Sequence, residues 1–488
     1  MMLISVNDLT FAYEGSFDNI FENASFRFDT DWKLGLIGRN GRGKTTFLKL
    51  LQGLYEYGGQ ISAPVDFSYF PFEPRDPSKK TLDALFEICP GLEQWRIERE
   101  LTLLEVGLEV LDRPLQTLSP GERTKILLAA LFQRENNFLL IDEPTNHLDM
   151  CGRAILSAYL NAKRGFLLVS HDRVFLDGCI DHTLSINRAT IEVQKGDFSV
   201  WQRNKELRDS FELSQNEILK KDISRLNEAA KRTAQWSDAV ERTKTGSGPC
   251  DRGAIGHKAA RMMQRAKATE SRIERAAQEK EKLLKNIEHA DSLAIKPAPY
   301  FKETLVSAAE LSCAYGEKTV FKNIGFTLLR GGRLALCGRN GCGKSSLLKL
   351  ILGADIPHTG TLRVGSGLIL SYVPQDTSNL SGSLKDFARE GGIDESLFKA
   401  ILRKLDFSRE QFEKDMRDFS AGQKKKALIA KSLCERAHLY VWDEPLNYVD
   451  VLSRMQIEEL LLQYAPTMLF VEHDRAFVNN VATKVLEM

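Results

Sequence analysis

The chain has 488 residues, 43% hydrophobic and 27% charged, with a net charge of +1; this describes an ordinary globular protein too long for one hydrophobic core. No run approaches the roughly 18 to 20 apolar residues of a membrane span, and the opening MMLISVNDLTFAYEG lacks the basic and apolar regions of a secretory signal, so we expect a cytoplasmic protein that does not engage a membrane. Its eight cysteines form no CxxC pair, which excludes a zinc ligand set and a disulfide framework.

Short apolar runs alternate with helical stretches over about the first 200 residues. A β-rich lead, LISVNDLTFAYEG, precedes the apolar run LGLIG, which enters a glycine-rich loop and then the apolar helix TTFLKLLQGL. Two further apolar runs, FLLID and GFLLVS, follow. Apolar runs of this kind, separated by helices, predict an α/β fold in which a mostly parallel sheet is wrapped by helices.

The composition changes between residues 199 and 298. Two helix-forming, charge-rich stretches are separated by TKTGSGPCDRGAIG, whose four glycines and one proline cannot continue a helix. We predict a long α-helical hairpin linker over 199–298, with its tip at about 243–256. Residues 201–290 carry 20 Lys and Arg against 14 Asp and Glu, so this linker is where a polyanion would bind.

The chain after the linker repeats the chain before it. The repeated pairs are GRNGRGKTT and GRNGCGKSS, LSPGE and FSAGQ, and SHDR and EHDR, at offsets of 300, 301 and 302 residues. Such regular offsets leave almost no room for insertions and indicate a tandem duplication. We therefore predict two similar domains, module 1 at 1–198 and module 2 at 299–488.

Each module carries the phosphate-binding pattern GxxxxGK[ST] between a predicted strand and a predicted helix. In such a loop the glycines let backbone N–H groups turn toward phosphate oxygens, the lysine neutralises charge and the hydroxyl ligates Mg²⁺. The predicted nucleotide ligands are Gly38, Asn40, Gly41, Gly43, Lys44, Thr45 and Thr46, and Gly338, Asn340, Gly341, Gly343, Lys344, Ser345 and Ser346.

Three further positions recur in the two modules. An aspartate that ends a strand is expected to ligate Mg²⁺, the glutamate after it is placed to polarise the attacking water as a general base, and a histidine after the next strand is placed to touch the γ-phosphate. For a histidine in that position, a structural role is the alternative. These residues are Asp142, Glu143 and His171 in module 1, and Asp443, Glu444 and His473 in module 2.

A serine–glycine turn stands ahead of the helix that precedes each aspartate, and it offers N–H donors and a hydroxyl to a γ-phosphate. Together with the phosphate loops, these turns resemble the motifs of the ABC ATPases in both modules. The resemblance implies hydrolysis of ATP with Mg²⁺ at two sites shared between the modules. The Lys44 site would be completed by Ser420 and Gly422, and the Lys344 site by Ser119 and Gly121.

The same resemblance assigns an aromatic position and a glutamine. Tyr13 and Tyr315 look like the residues that stack on adenine, with core packing as the alternative. ABC ATPases usually carry a glutamine that touches Mg²⁺ and water; module 2 has Gln375 there, whereas module 1 has Phe72, which can do neither. The predicted metal ligands are thus Thr45, Asp142, Ser345, Gln375 and Asp443. Both sites are expected to hydrolyse ATP, because DEPLNYVD keeps the carboxylates of DEPTNHLD, but we expect the Lys44 site to be slower.

Two such modules joined by a helical hairpin resemble the ABC-F family of translation factors, in which the wording DEPTNHLD is usual. The resemblance implies a monomer that binds the ribosome, enters the tRNA exit site and extends its linker toward the peptidyl-transferase centre, with rRNA and P-site tRNA as partners and no role for DNA. The stretch at 251–267, together with DEPLNYVD, looks like the antibiotic-resistance subgroup, which protects ribosomes against lincosamides, streptogramin A and pleuromutilins.

Three alternatives stay open at this point. A housekeeping ABC-F factor that regulates elongation would share the whole architecture. The ATPase subunit of a drug exporter would need separate membrane partners, and a chromosome or DNA-repair ATPase normally has far longer coiled coils inserted inside a module. The positive balance of the linker favours an RNA partner, because Lys and Arg supply sequence-independent affinity for phosphate.

Overall fold

The computed structural model describes residues 2–14, 19–74, 76–146, 148–187, 191–242, 272, 297–316 and 318–488. The chain divides into two compact units, Met1–Trp201 with Asp291–Met488, and Gln202–Ala290. The first unit contains both modules. The predicted hairpin tip at 243–256 lies outside the described residues. Within the described ranges, no helix combines the length and apolarity that a membrane crossing requires.

Module 1 is built from two sheets and the helices that cover them. Strands β1 to β9 lie at Leu3–Phe11, Phe21–Asp29, Lys33–Ile37, Gly58–Ser62, Asp66–Phe70, Asn137–Asp142, Phe166–Val169, His182–Ile186 and Ile191–Lys195. Helices α1 to α6 lie at Lys44–Leu51, Thr81–Ile88, Gln94–Leu103, Pro120–Leu131, Met150–Asn161 and Arg173–Cys179. The larger sheet has the order β5-β6-β7-β3-β8-β9 and is parallel except for β9, and the smaller antiparallel sheet has the order β2-β1-β4.

Module 2 repeats this plan. Strands β10 to β17 lie at Thr304–Tyr315, Lys318–Leu329, Arg333–Cys337, His358–Val364, Leu370–Val373, Leu439–Asp443, Met468–Val471 and Lys484–Glu487. Helices α8 to α13 lie at Lys344–Ile351, Leu384–Glu390, Glu395–Lys404, Ala421–Cys434, Val451–Tyr464 and Arg475–Val481. The larger sheet, β14-β15-β16-β12-β17, is parallel, and the smaller sheet, β11-β10-β13, is antiparallel.

The central strands are apolar on both faces because each face of the sheet is covered. In β6, Leu139 and Ile141 contact the core beneath the helices, whereas Phe138 and Leu140 contact the core beneath the antiparallel sheet. Successive side chains of a strand point to opposite faces, so one strand supplies two cores. The predicted α/β class with a mostly parallel sheet is confirmed.

The linker begins with one long helix, α7, over the 45 residues Phe198–Arg242. At 1.5 Å per residue a helix of this length measures about 68 Å. Its first turn belongs to module 1, since Phe198 and Trp201 are 1% and 3% exposed and lie in the same core as α4 and α5. The helix therefore starts in the apolar core of module 1.

Candidate active site

Both glycine loops connect the carboxyl end of a central strand with the first turn of a helix. In module 1 the loop follows β3 and α1 begins at Lys44, with φ angles of 81° at Gly41 and 84° at Gly43. A Cβ on Gly43 would lie 2.5 Å from a methyl carbon of Ile20, so glycine is required for both conformation and space. The first N–H groups of α1 have no partner inside the helix, which makes this end a suitable place for phosphate oxygens.

The loop lysines are folded back onto their own loops. Lys44 Nζ donates to the carbonyl oxygens of Gly38 at 2.7 Å and Arg39 at 3.1 Å. Lys344 Nζ makes the same bonds to Gly338 at 2.8 Å and to the next residue at 3.0 Å. Burial lowers the pKa of Lys44, although Asp450 and the carboxylates of its own module oppose this effect. Each amine is thus held at the loop, where phosphate could supply charged acceptors.

A hydroxyl and an aspartate meet beside each loop. Thr45 Oγ1 donates to Asp142 Oδ2 at 3.0 Å, and Tyr69 donates to the same oxygen at 3.0 Å. In module 2, Asp443 bonds with Ser345, and its Oδ1 is buried with no hydrogen-bond partner among the described residues. Hydroxyl and carboxylate oxygens are the ligands that Mg²⁺ prefers. An unpaired buried carboxylate oxygen is costly, so these residues fit a cation.

The two candidate bases share an unusual backbone conformation. Glu143 and Glu444 have φ angles of 52° and 46°, in the left-handed region that non-glycine residues rarely adopt. Their N–H groups still continue the ladder of the parallel sheet, donating to Val169 at 2.9 Å and Val471 at 3.1 Å. Strain of this kind persists where the surroundings hold a residue in place, and it is concentrated at functional sites.

The histidines lie against these glutamates. His171 Nε2 is 3.2 Å from Glu143 Oε1, and His473 Nε2 is 3.6 Å from Glu444 Oε1. Burial, together with the charges of Lys44 and Arg454, lowers the pKa of His171 well below its ordinary value, so this ring is neutral at pH 7. A neutral imidazole can donate one hydrogen bond to a phosphate oxygen.

The serine–glycine turn FSAGQ of module 2 lies against the phosphate loop of module 1. Asn40 Nδ2 donates to the carbonyl of Tyr448 at 2.8 Å, and a Cβ on Gly422 would lie 3.0 Å from the same Asn40 nitrogen. Arg42 adds a cross-module ion pair with Asp406 at 3.4 Å. The structure therefore brings Gly422 to the Lys44 loop. The residue equivalent to Tyr448 in module 1 is His147, which lies outside the described residues.

The serines of these turns, Ser119 and Ser420, also cap the helices they precede. Ser119 accepts from the Glu122 N–H and Ser420 from the Gln423 N–H, and each of these helices begins with a reciprocal capping box. This bonding fixes the turns of LSPGE and FSAGQ. The Ser119 hydroxyl also donates to Glu122 Oε2 at 2.8 Å.

The two candidate adenine-stacking tyrosines are not core residues. Tyr13 is 43% exposed and its hydroxyl bonds with Thr46 Oγ1 at 2.8 Å, while Tyr315 is 48% exposed and donates to Ser346 Oγ at 3.3 Å. The alternative of core packing is therefore wrong. Each ring stands beside the loop with an accessible surface, which suits stacking on a base.

Comparison with known proteins places this geometry in a family. A family model described as "ABC transporter" matches residues 21–146 and 321–447, together more than half of the chain. The chain belongs to this family. It is an ABC-type ATPase with two tandem ABC domains, as the motifs of both modules predict.

Similar proteins match this ABC ATPase over nearly its whole length. The ribosome protection protein VmlR of Bacillus subtilis (strain 168) is 28% identical, and the alignment covers 97% of this chain and 85% of VmlR. The energy-dependent translational throttle protein EttA of Escherichia coli O6:H1 is 25% identical, with 96% and 89% covered. An archaeal ribosome recycling factor, solved in complex with a ribosomal stalk protein, has a TM-score of 0.64 at 19% identity and covers 98% of this chain and 87% of its own, which shows a shared fold.

The two glutamates of this ABC ATPase have opposite electrostatic surroundings. Burial raises the pKa of Glu143 to about 8, and Asp142 adds to the increase. Burial acts in the same direction on Glu444, but His473, Gln375 and the amide of Asn447 outweigh it and lower its pKa. The amide nitrogens of Gln375 and Asn447 lie 2.8 and 2.7 Å from Glu444 Oε2. At the position of Gln375, module 1 has Phe72, which packs against the apolar core.

This difference predicts opposite effects of glutamine substitutions on the stability of the nucleotide-free protein. The folded state holds the Glu143 proton to about pH 8, and the unfolded chain releases it near 4.5, so the wild type loses stability as pH rises across this range. Glu143→Gln keeps a neutral side chain and should escape this loss. We expect Glu143→Gln to match the wild type at pH 5 and to exceed it at pH 8.5 in urea unfolding.

Glu444→Gln is the matched control. Its carboxylate has a lowered pKa, so its contribution is present above the ordinary value of 4.5 and is lost as pH falls through the folded-state pKa. Glu444→Gln should therefore be less stable than the wild type at pH 7, and the gap should close in acid. The same pH dependence for both variants would contradict the difference between the sites.

Several residues that shape these sites do not stand out in the sequence. Tyr69 bonds with Asp142 at 3.0 Å, and Asn447 with Glu444 at 2.7 Å. Asp450 is the last residue of DEPLNYVD in module 2, yet its charge acts on Lys44 of module 1. Glu472 stands where module 1 has Ser170, and it accepts from the N–H of Leu446 at 2.7 Å. The difference between SHDR and EHDR was the signal in the sequence that could have identified Glu472. Its bond with Leu446 shows that the substitutions within DEPLNYVD are accompanied by a substitution outside that turn.

Proposed function

We propose that this ABC ATPase belongs to the ABC-F family and protects the ribosome from antibiotics of the peptidyl-transferase centre. In this proposal ATP binding inserts the interdomain linker from the tRNA exit site. The observation that carries it is the match to the ribosome protection protein VmlR, which covers 97% of this chain and 85% of VmlR and therefore includes the linker.

Two further observations support a ribosomal partner. The throttle protein EttA and the archaeal recycling factor are both named for roles in translation, and both align with at least 96% of this chain. The linker carries a positive balance of 20 basic against 14 acidic residues over 201–290, which suits contact with rRNA phosphate or P-site tRNA. A monomer suffices, because one chain supplies both modules of the ATP site.

The Lys44 site would bind ATP with residues of both modules. The loop residues from Gly38 to Thr46 would bind the phosphates and Tyr13 the adenine, with Ser420 and Gly422 added from module 2. Mg²⁺, held by Thr45 and Asp142, would neutralise charge on the phosphates when bound. Glu143 would accept the proton of the attacking water, and His171 would donate to the γ-phosphate.

The Lys344 site would use the equivalent residues. The loop from Gly338 to Ser346 would bind the phosphates beside Tyr315, with Ser119 and Gly121 added from module 1. Ser345, Asp443 and Gln375 would hold Mg²⁺, Glu444 would be the base and His473 the γ-phosphate donor.

ATP capture would then control the linker through the contacts between modules. Asn40 bonds with Tyr448 across the modules, and Arg173 bonds with Glu458 at 2.5 Å on the same interface. Phe198 and Trp201 tie the start of α7 to the core of module 1. Holding the modules together would favour the form that binds the ribosome, and hydrolysis would release the protein.

Ribosome pelleting tests the partner. The Glu143→Gln/Glu444→Gln variant with ATP should co-sediment with 70S ribosomes, while the same variant with ADP should stay in the supernatant. Lys44→Ala/Lys344→Ala, which cannot hold the phosphates, is the control for ATP dependence. Absence of ATP-dependent co-sedimentation would reject a ribosomal role and would leave an ATPase subunit of another assembly.

Drug susceptibility separates protection from a housekeeping role, which the match to EttA over 96% of this chain keeps as the second candidate. A sensitive bacterium expressing the chain should tolerate several-fold more lincosamide, streptogramin A or pleuromutilin than one expressing the Lys44→Ala/Lys344→Ala variant. Unchanged susceptibility to all three, with ATP-dependent ribosome binding intact, would favour the housekeeping factor.

A further inference from the structure

Two buried charges distinguish the Lys344 site from the Lys44 site. Lys425 in α11 stands where module 1 has Thr124, and Glu472 after β16 stands where module 1 has Ser170. Lys425 is 1% exposed and Glu472 is 3% exposed. Burying a charge is costly unless hydrogen bonds or nearby charges of opposite sign offset the cost.

The amine of Lys425 joins the two segments that carry the candidate catalytic groups of module 2. Its Nζ donates to the carbonyl of Pro374 at 2.8 Å and lies 3.4 Å from the carbonyl of Asp443. Pro374 directly precedes Gln375, and Asp443 directly precedes Glu444. The Gln375–Glu444 hydrogen bond of 2.8 Å therefore spans two pieces of backbone that one ammonium group holds together.

Glu472 favours the charged form of this amine and arranges the neighbouring turn. Burial lowers the pKa of Lys425 to about 8, and the nearby carboxylates oppose this effect, most of all Glu472. Glu472 Oε1 accepts from the N–H of Leu446 at 2.7 Å, and its Oε2 accepts from the N–H of His473 at 3.1 Å. In module 1 the equivalent positions hold only neutral hydroxyls, with Thr145 and Ser170 at 3.3 Å.

We propose that Lys425 is a positioning residue for ATP hydrolysis at the Lys344 site. Its amine, which bonds with the carbonyls of Pro374 and Asp443, fixes the segment that carries Gln375 against the strand that presents Glu444. Module 1 has neither charge and has Phe72 in place of the glutamine, so this device belongs to one of the two sites. The inference rests on the proposed roles of Glu444 and Gln375.

Lys425→Thr, which installs the residue of module 1, tests the proposal in two backgrounds. In the Glu143→Gln background, ATP is hydrolysed at the Lys344 site. In the Glu444→Gln background, ATP is hydrolysed at the Lys44 site. We expect Lys425→Thr to lower kcat at least about tenfold in the first background, because small misplacements of catalytic groups cost this much or more. The KM for ATP should change less than twofold, and the loss in the second background should be much smaller.

Two further variants control for folding and charge. Lys424→Thr removes the adjacent lysine and should change neither kcat, whereas Lys425→Arg should retain most of the rate. Lys425→Thr/Glu472→Ser installs the two neutral residues of module 1. This double variant should unfold at the same temperature as its parent but should still hydrolyse ATP slowly at the Lys344 site.

The outcomes separate this inference from the proposal on which it rests. If Glu444→Gln leaves hydrolysis unchanged, the assignment of the Lys344 site is wrong. If Glu444→Gln is inactive at that site but the folded double variant Lys425→Thr/Glu472→Ser turns over at the parental rate, the positioning role of Lys425 is overturned. Equal losses in both backgrounds, or unfolding of both Lys425→Thr and the double variant, would show a general structural role instead and would overturn it as well.

Discussion

The Glu143→Gln/Glu444→Gln variant is expected to hydrolyse ATP at least about 100-fold more slowly than the wild type, because a positioned general base contributes about 10²- to 10⁴-fold. Both glutamates are held in a left-handed conformation by the ends of β6 and β15, with φ angles of 52° and 46°. Glutamine has the same shape and keeps this geometry, but it cannot accept the proton of water. ATP binding should persist, because the phosphate-binding loops and the predicted Mg²⁺ ligands Asp142 and Asp443 are unchanged. The measurements are phosphate release and equilibrium binding of a fluorescent ATP analogue.

The single variants should divide this loss unequally. Glu444 bonds with Gln375 and Asn447 and has a lowered pKa, so it is ionised and oriented at pH 7. Glu143 has a pKa raised to about 8, and its own module has Phe72 in place of the glutamine. Glu444→Gln should therefore remove most of the steady-state rate and Glu143→Gln a smaller part. Equal losses would contradict a slower Lys44 site, and a residual rate near wild type in the double variant would reject both glutamates as bases.

The positions of the motifs along the fold could be predicted from the sequence, because each lies next to a strand whose apolar run is easily recognised. Parallel strands bring their carboxyl ends to one edge, so residues after β3, β6 and β7 must converge. That reasoning places Lys44, Asp142 and His171 without any coordinates.

The partners of these residues could not be predicted in the same way. Lys425 belongs to a run of three lysines, a residue type that is usually exposed, yet its amine enters the Lys344 site. Neighbouring Lys426 instead reaches Asp450, whose charge acts on the Lys44 site of the other module. Helical spacing assigns a residue to a face, but it does not say which buried carbonyl or carboxylate a long side chain will meet.

Asp450→Ala is expected to destabilise the protein by about 3 to 5 kcal/mol, the usual cost of removing one partner of a buried ion pair. Asp450 is 0% exposed; its Oδ2 accepts from Lys426 Nζ at 2.7 Å, and its Oδ1 accepts from the N–H of Ser453 at 2.9 Å. Burial alone would raise the pKa of Asp450, but Lys426 and Lys44 lower it well below its ordinary value. In the unfolded chain the pKa of this carboxyl is about 3.8. The stabilisation is therefore present above pH 4 and is lost as pH falls through the lower pKa of the folded state.

Asp149→Ala is the matched control for this prediction, because Asp149 occupies the equivalent position in module 1. It is half-buried and caps α5 by accepting from the N–H of Gly152 at 2.8 Å, while Lys125, the equivalent of Lys426, donates to the carbonyl of Leu104 at 2.8 Å. Losing a helix cap costs about 1 kcal/mol. Urea unfolding at pH 7 should thus show a loss several times larger for Asp450→Ala than for Asp149→Ala. Similar losses in the free energy of unfolding would mean that the Lys426–Asp450 pair adds little to the helix cap. The charge of Asp450 would then not be what holds the end of DEPLNYVD beside the Lys44 site.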